Sequence, residues 1–123
     1  VDACGGLRAE AARVVSGGPM MGFALGDLSA PVTKGTSGIT VLTAADVRQA
    51  EEQACVRCGR CVDVCPLNLV PTKIALAARH RDHELAQRYH IMACMECGCC
   101  AYNCPSRIPL VQLIRVGKAQ LPR

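Results

Sequence analysis

Large aromatic side chains are almost missing from these 123 residues: there is no tryptophan, one phenylalanine (Phe23) and two tyrosines (Tyr89 and Tyr102). A core must therefore come from Val, Ile, Leu, Ala and Met. The ring-stacking basic groove that holds single-stranded nucleic acid is also excluded, so no nucleic-acid partner is expected. No apolar run approaches the roughly 20 residues of a membrane-crossing helix. No apolar leader with a cleavage site precedes the paired cysteines, which argues against a disulfide framework and for a reducing compartment. The sequence opens at Val1 as if in mid-domain and reads as a piece of something longer.

What the chain has instead is cysteine, ten residues of it. Eight fall into two copies of one pattern. Cys55, Cys58, Cys61 and Cys65 are followed by Pro66, and Cys94, Cys97, Cys100 and Cys104 by Pro105. Each is C-x2-C-x2-C-x3-C-P, the run that binds [4Fe–4S] clusters in bacterial ferredoxins, where the fourth cysteine ligates the other cluster. Three thiolates two residues apart can wrap one face of a cubane; the fourth is set off by three more residues and turned away by proline. The pattern therefore predicts two [4Fe–4S] clusters. Cys55, Cys58, Cys61 and Cys104 would hold the first, and Cys94, Cys97, Cys100 and Cys65 the second. A structural zinc site would use two separated C-x2-C pairs with no third cysteine and no Cys-Pro. Cys99 breaks the spacing and, like the distant Cys4, reads as a small packed residue. His80, His83 and His90 lie on a charged, solvated segment.

The formal net charge is +4. An oxidised cluster with four thiolates contributes about −2, so two would bring the loaded chain to about zero. The basic excess mostly offsets the clusters. With little apolar mass in the cysteine half, the clusters are expected to serve as its core, so that loading and folding are coupled.

Residues 12–16 and 39–42 read as short strands separated by glycine-rich turns. Gly17-Gly18-Pro19 lacks the frame of a phosphate loop and reads as a tight turn. Thr43 is expected to cap a helix over 44–54, with Asp46 completing a capping box. Pro71 suits a first helical position, with Ile74, Ala77 and Ala78 on one face. Asp82 can cap a second short helix, and Pro109 opens a third with Leu110, Leu113, Ile114 and Gly117 on one stripe. Val56, Val62, Met95 and Tyr102 are expected to shield the clusters from water. The spacer between the motifs is helical, unlike that of a small bacterial ferredoxin. The fold class is α+β: a turn-rich β module over 1–43, then an α-helical ferredoxin domain over 44–123.

Gly17-Gly18-Pro19-Met20-Met21-Gly22, the stretch from Pro31 to Ile39, Cys94-Met95-Glu96-Cys97-Gly98 and Cys104-Pro105-Ser106-Arg107-Ile108-Pro109-Leu110-Val111-Gln112 resemble, in order and spacing, the C subunit of the Rnf complex. That complex is an ion-translocating ferredoxin:NAD oxidoreductase. The resemblance implies a peripheral protein on the cytoplasmic face of the membrane, an electron wire between an NADH/flavin site and other redox subunits. It further implies that residues 1–43 are the end of a β-grasp-like, soluble-ligand-binding module, ferredoxin as a candidate for exchange, and FMN and NAD sites only upstream of Val1. It implies no catalytic residue in this chain. A free-standing dicluster ferredoxin would not need the β module, and a related iron–sulfur protein of the cobalamin-reductase type fits the terminal P-S-R-I-P-L-V-Q less well.

Overall fold

The computed structural model describes residues 4–47 and 51–121. The chain forms two units, Val1–Gln49 and Ala50–Arg123.

In the first unit, β1 (Ala11–Ser16), β2 (Phe23–Ala24) and β3 (Ile39–Thr43) form an antiparallel sheet in the order β2-β1-β3. Strand neighbours point to opposite faces, and Val14 and Val15 on the central strand are both buried. The β1–β2 connection is held by backbone geometry. Gly17 takes a left-handed φ of 102°, and the Gly22 N–H closes on the Gly18 carbonyl at 2.7 Å. A β-carbon at Gly22 would stand 2.5 Å from the Ser16 carbonyl oxygen and 2.6 Å from that of Gly18. The turn read from Gly17-Gly18-Pro19 is thus a close backbone approach, with Gly22 as its tightest point.

The helix expected over 44–54 does not form among the described residues. Asp46 accepts from the Thr43 N–H at 3.1 Å and the Thr43 hydroxyl at 2.8 Å. These bonds hold the Asp46 carboxyl below its ordinary pKa, the hydroxyl bond first. They close a single turn, since residues 44–46 are turn and 51–54 are irregular. The reason is tertiary: the Gln53 N–H, which a helix would direct four residues back, goes to the Ser106 carbonyl, and the Ser106 hydroxyl donates to the Ala54 carbonyl, which holds this stretch to a distant segment. Residues 48–50 lie outside the described residues.

The second unit is an internal duplication. Cys94 stands 39 positions after Cys55, and at that offset α1 (Arg60–Asp63) answers to α4 (Cys99–Asn103) and α2 (Pro71–Arg79) to α5 (Leu110–Gln120). The third helix, α3 (His83–Arg88), and a 3-10 turn (Ile91–Ala93) fill the spacer. Pro71 occupies the first turn of α2, where its missing N–H costs nothing. Asp82 caps α3, accepting from the Leu85 N–H at 3.1 Å.

α2 packs on α5. The helices meet tightly at Ala78 and Gly117, themselves equivalent positions of the two halves. A β-carbon on Gly117 would stand 2.6 Å from Ala78 Cβ and 2.9 Å from Ile91 Cδ1. A mid-helix glycine costs about 0.5–1 kcal/mol against alanine; here it lets Ile74, Ile91, Leu110, Val111 and Ile114 seal completely. This half, expected to have little apolar mass, thus closes a small aliphatic core at the crossing. Small residues at the crossing let a few aliphatic side chains close, with Tyr89 the one aromatic packed against them; α2 adds the buried Ala77 and Ala78, and α3 the buried Ala86. Gly117→Val should destabilise by about 1–3 kcal/mol through overpacking, whereas Val116→Ala at the half-exposed neighbour should stay within about 0.5 kcal/mol. Urea unfolding of the two variants measures both.

Candidate metal centre

The cysteine loops are shaped by left-handed residues that recur with the duplication. Arg57 and Glu96 (φ 57° and 58°), Gly59 and Gly98 (77° and 84°), and Asn68 and Arg107 (both 57°) are three equivalent pairs. Four of the six carry a β-carbon, for which this region is unfavourable by about 1–2 kcal/mol. Backbone that alternates between right- and left-handed residues turns successive N–H groups inward, forming the anion-binding nests found at many iron–sulfur sites. The hydrogen bonds agree. The Arg57 N–H donates to Cys55 Sγ and the Glu96 N–H to Cys94 Sγ, both at 3.4 Å. Leu69 N–H donates to Cys65 Sγ at 3.4 Å.

Two cavities follow. One is lined by Cys55, Cys58, Cys61 and Cys104. The other is lined by Cys65, Cys94, Cys97 and Cys100. Each takes three cysteines from one half and the fourth from the other. Part of the walls follows the same exchange: Pro105, Ser106, Ile108 and Leu110 close the first, and their equivalents Pro66, Leu67, Leu69 and Pro71 the second. Among the described residues, no three of His, Cys, Asp and Glu converge as ligands of one metal ion. Four thiols spread around an apolar cavity, with N–H groups turned to Cys55 in the first and to Cys65 and Cys94 in the second, are a donor set and surroundings that suit a [4Fe–4S] cluster.

Burial differs within each set. Cys61 and Cys100, at equivalent positions, are the buried pair, while Cys55 and Cys58 are exposed. Burial pushes the Cys100 thiol up to about 11, with smaller contributions from nearby cysteines. Cys99 lines neither cavity; its hydrogen bond with Cys97 raises its pKa, and desolvation adds to the rise. Cys4, expected to be packed, is exposed in the first unit. Of the expected shielding residues, Val56 lines the first cavity and Met95 the second. Val62 and Tyr102 line neither, and Tyr102 is 77% exposed. Exclusion of water falls instead to Ile108 and Leu110 in the first, and to Leu69, Ile74, Val111 and Ile114 in the second. His80, His83 and His90 also lie outside both linings.

Cysteine spacing alone gives Ser106 no part in the site, yet the fold gives it one. It is buried, donates its hydroxyl to the Ala54 carbonyl at 2.9 Å, and accepts from the Gln53 N–H at 2.8 Å. It thereby fixes the backbone before Cys55 to the backbone after Cys104, which share the first cavity. The signal for it lies in the P-S-x-I-P stretch. Lys118, on α5, plays a related part at the second loop, donating to the Cys94 carbonyl. Its ammonium also lies 3.6 Å from the Glu96 carboxylate, which Arg115 meets at 3.3 Å.

Residues 48–105 match the family described as a 4Fe-4S dicluster domain. The chain is 46% identical to the C subunit of the proton-translocating ferredoxin:NAD(+) oxidoreductase complex of Clostridium ljungdahlii, over 98% of this chain and 26% of that protein. It is 48% identical to the C subunit of the ion-translocating oxidoreductase complex of Methanosarcina acetivorans, over 98% of this chain and 27% of that protein. The chain belongs to the family of these C subunits. A third member, from the Na(+)-translocating ferredoxin:NAD(+) oxidoreductase complex of Acetobacterium woodii, is 45% identical over 98% of this chain and 27% of its own length. The chain thus spans about a quarter of the relatives it matches. No helix among its described residues is long and apolar enough to cross a membrane.

In this family member, Ser106→Ala leaves the Ala54 carbonyl without its donor, which should cost about 1–3 kcal/mol. Urea unfolding should show that loss, and iron analysis should show poorer loading of the set that includes Cys55 and Cys104.

Proposed function

We propose that this chain holds two [4Fe–4S] clusters by crossed ligation. Cys55, Cys58, Cys61 and Cys104 hold the first; Cys65, Cys94, Cys97 and Cys100 hold the second. The observation that carries the reading is the exchange of the fourth cysteine between the two cavities. Bound clusters would supply one-electron redox centres. The chain's residues supply the thiolates, the N–H donors at Cys55, Cys65 and Cys94, and the aliphatic walls that keep water from the cavities. Both sites share one framework built on α2 and α5, which suits transfer with little rearrangement.

In this reading the chain is the electron-transfer part of a membrane-associated, ion-translocating ferredoxin:NAD oxidoreductase. It passes electrons between an NADH/flavin site and partner redox subunits, ferredoxin being one candidate for exchange, from the cytoplasmic face of the membrane. FMN and NAD belong to parts of the protein outside this chain. The three-stranded sheet is the end of a β-grasp module. The names and identities of the relatives support this assignment.

Anaerobically purified chain should contain about eight irons and eight sulfides, with the reduced-state EPR signal of two interacting clusters. Cys65→Ser and Cys104→Ser should each impair the cluster built mainly by the other half, while Cys99→Ser should leave iron unchanged. Stoichiometric zinc without sulfide would refute the assignment.

Loading should also govern folding. Four of the five largest fully buried side chains, Ile74, Leu110, Val111 and Ile114, are cavity walls. Metal binding in small domains supplies on the order of 10 kcal/mol, comparable to a whole domain's stability. Chelation should therefore abolish the cooperative melting of the second unit by circular dichroism. A sharp transition persisting in iron-free chain would show that the α2–α5 packing suffices alone.

A further inference from the structure

The duplication supplies an internal comparison at each cavity. Thr72 on α2 and Val111 on α5 stand 39 positions apart, as do Cys61 and Cys100. Thr72 lines the first cavity and Val111 the second. Threonine and valine have nearly the same shape, so the halves differ here by one hydroxyl in place of a methyl. That hydroxyl is 2.8 Å from Cys61 Sγ, a contact that either atom could donate. A cysteine that ligates iron has lost its proton, so in the loaded protein the hydroxyl must be the donor.

We propose that Thr72 is a potential-setting residue. Its hydroxyl donates to the Cys61 sulfur and raises the reduction potential of the first cluster, and Val111 gives the second cluster no such donor. The inference rests on the crossed two-cluster reading above. A hydrogen bond to a ligand sulfur draws off negative charge, which favours the reduced, more negative state, and such bonds are among the determinants of cluster potential. The N–H donors at Cys55 and Cys94 occur in both halves, so they do not distinguish the clusters. Leu69 N–H adds a donor at Cys65 on the second side, as Thr72 does on the first. Cys61 is a buried ligand, where weak screening by water strengthens the effect of one added dipole.

The test is a redox titration followed by EPR on anaerobically isolated chain, with iron and sulfide measured on each sample. Thr72→Val copies the other half of the molecule at constant shape. One of the two midpoints should fall, the other should hold, and iron should stay at about eight per chain. Thr72→Ser, which keeps the hydroxyl, should restore the wild-type midpoint. Should Thr72→Val load poorly, Thr72→Ala carries the measurement with the same expected fall. Full loading with both midpoints unmoved overturns the inference while leaving the cluster assignment standing. Wild-type chain holding fewer than two clusters defeats the assignment itself. A fall that Thr72→Ser fails to reverse also overturns the inference, because the effect would then come from packing.

Discussion

Each cavity is completed by a cysteine from the opposite half of a duplicated segment, and most features of the second unit serve that exchange. Cys104 can face Cys55, Cys58 and Cys61 only if the backbone after the second motif lies against the backbone before the first. Ser106 makes that contact with its hydroxyl and carbonyl. The reciprocal placement of Cys65 with Cys94, Cys97 and Cys100 depends on α2 and α5 crossing closely. Their approach at Ala78 and Gly117 leaves no room for a larger side chain.

This arrangement explains how a chain so poor in aromatics can build a domain. Wide helix spacing would need large side chains to fill the gap between helices. Here the helices approach closely, and five aliphatic residues seal the space. Most of those residues are also cavity walls, so the core and the candidate cluster sites are continuous. Stability and redox environment consequently share the same side chains, and substitutions at Ile74, Leu110, Val111 or Ile114 would act on both.

The two halves are not chemically equal. A hydroxyl reaches a cysteine sulfur on one side, where the other has a methyl. The equivalent left-handed positions carry Arg57 and Glu96, of opposite charge, and Glu96 is engaged by Arg115 and Lys118. Duplication supplies two sites of one design, and a few substitutions within the repeat give them different surroundings. A pair of redox centres in series benefits from such differences, since identical centres provide no gradient between them.

Much of this was legible in the amino-acid sequence. Cysteine spacing is a local property, and it named the eight cysteines among the linings of the two cavities. Pro71, Asp82 and Pro109 marked helix starts, because caps and first-turn prolines act within a few residues of themselves. What the sequence left open depended on contacts between distant segments. Thr43 and Asp46 form the local bonds of a helix start, yet residues 51–54 are irregular, because Gln53 and Ala54 spend their hydrogen bonds on Ser106 across the fold. Val62 and Tyr102 look like shielding residues by proximity to the motifs, but proximity along the chain does not decide which way a side chain faces. The spacing of the cysteines was fixed by local sequence. Only the tertiary structure decided that Gly117 would meet Ala78, because that pairing arises when the two halves pack together, and that Thr72 would reach Cys61, because that contact depends on how α2 folds back on α1.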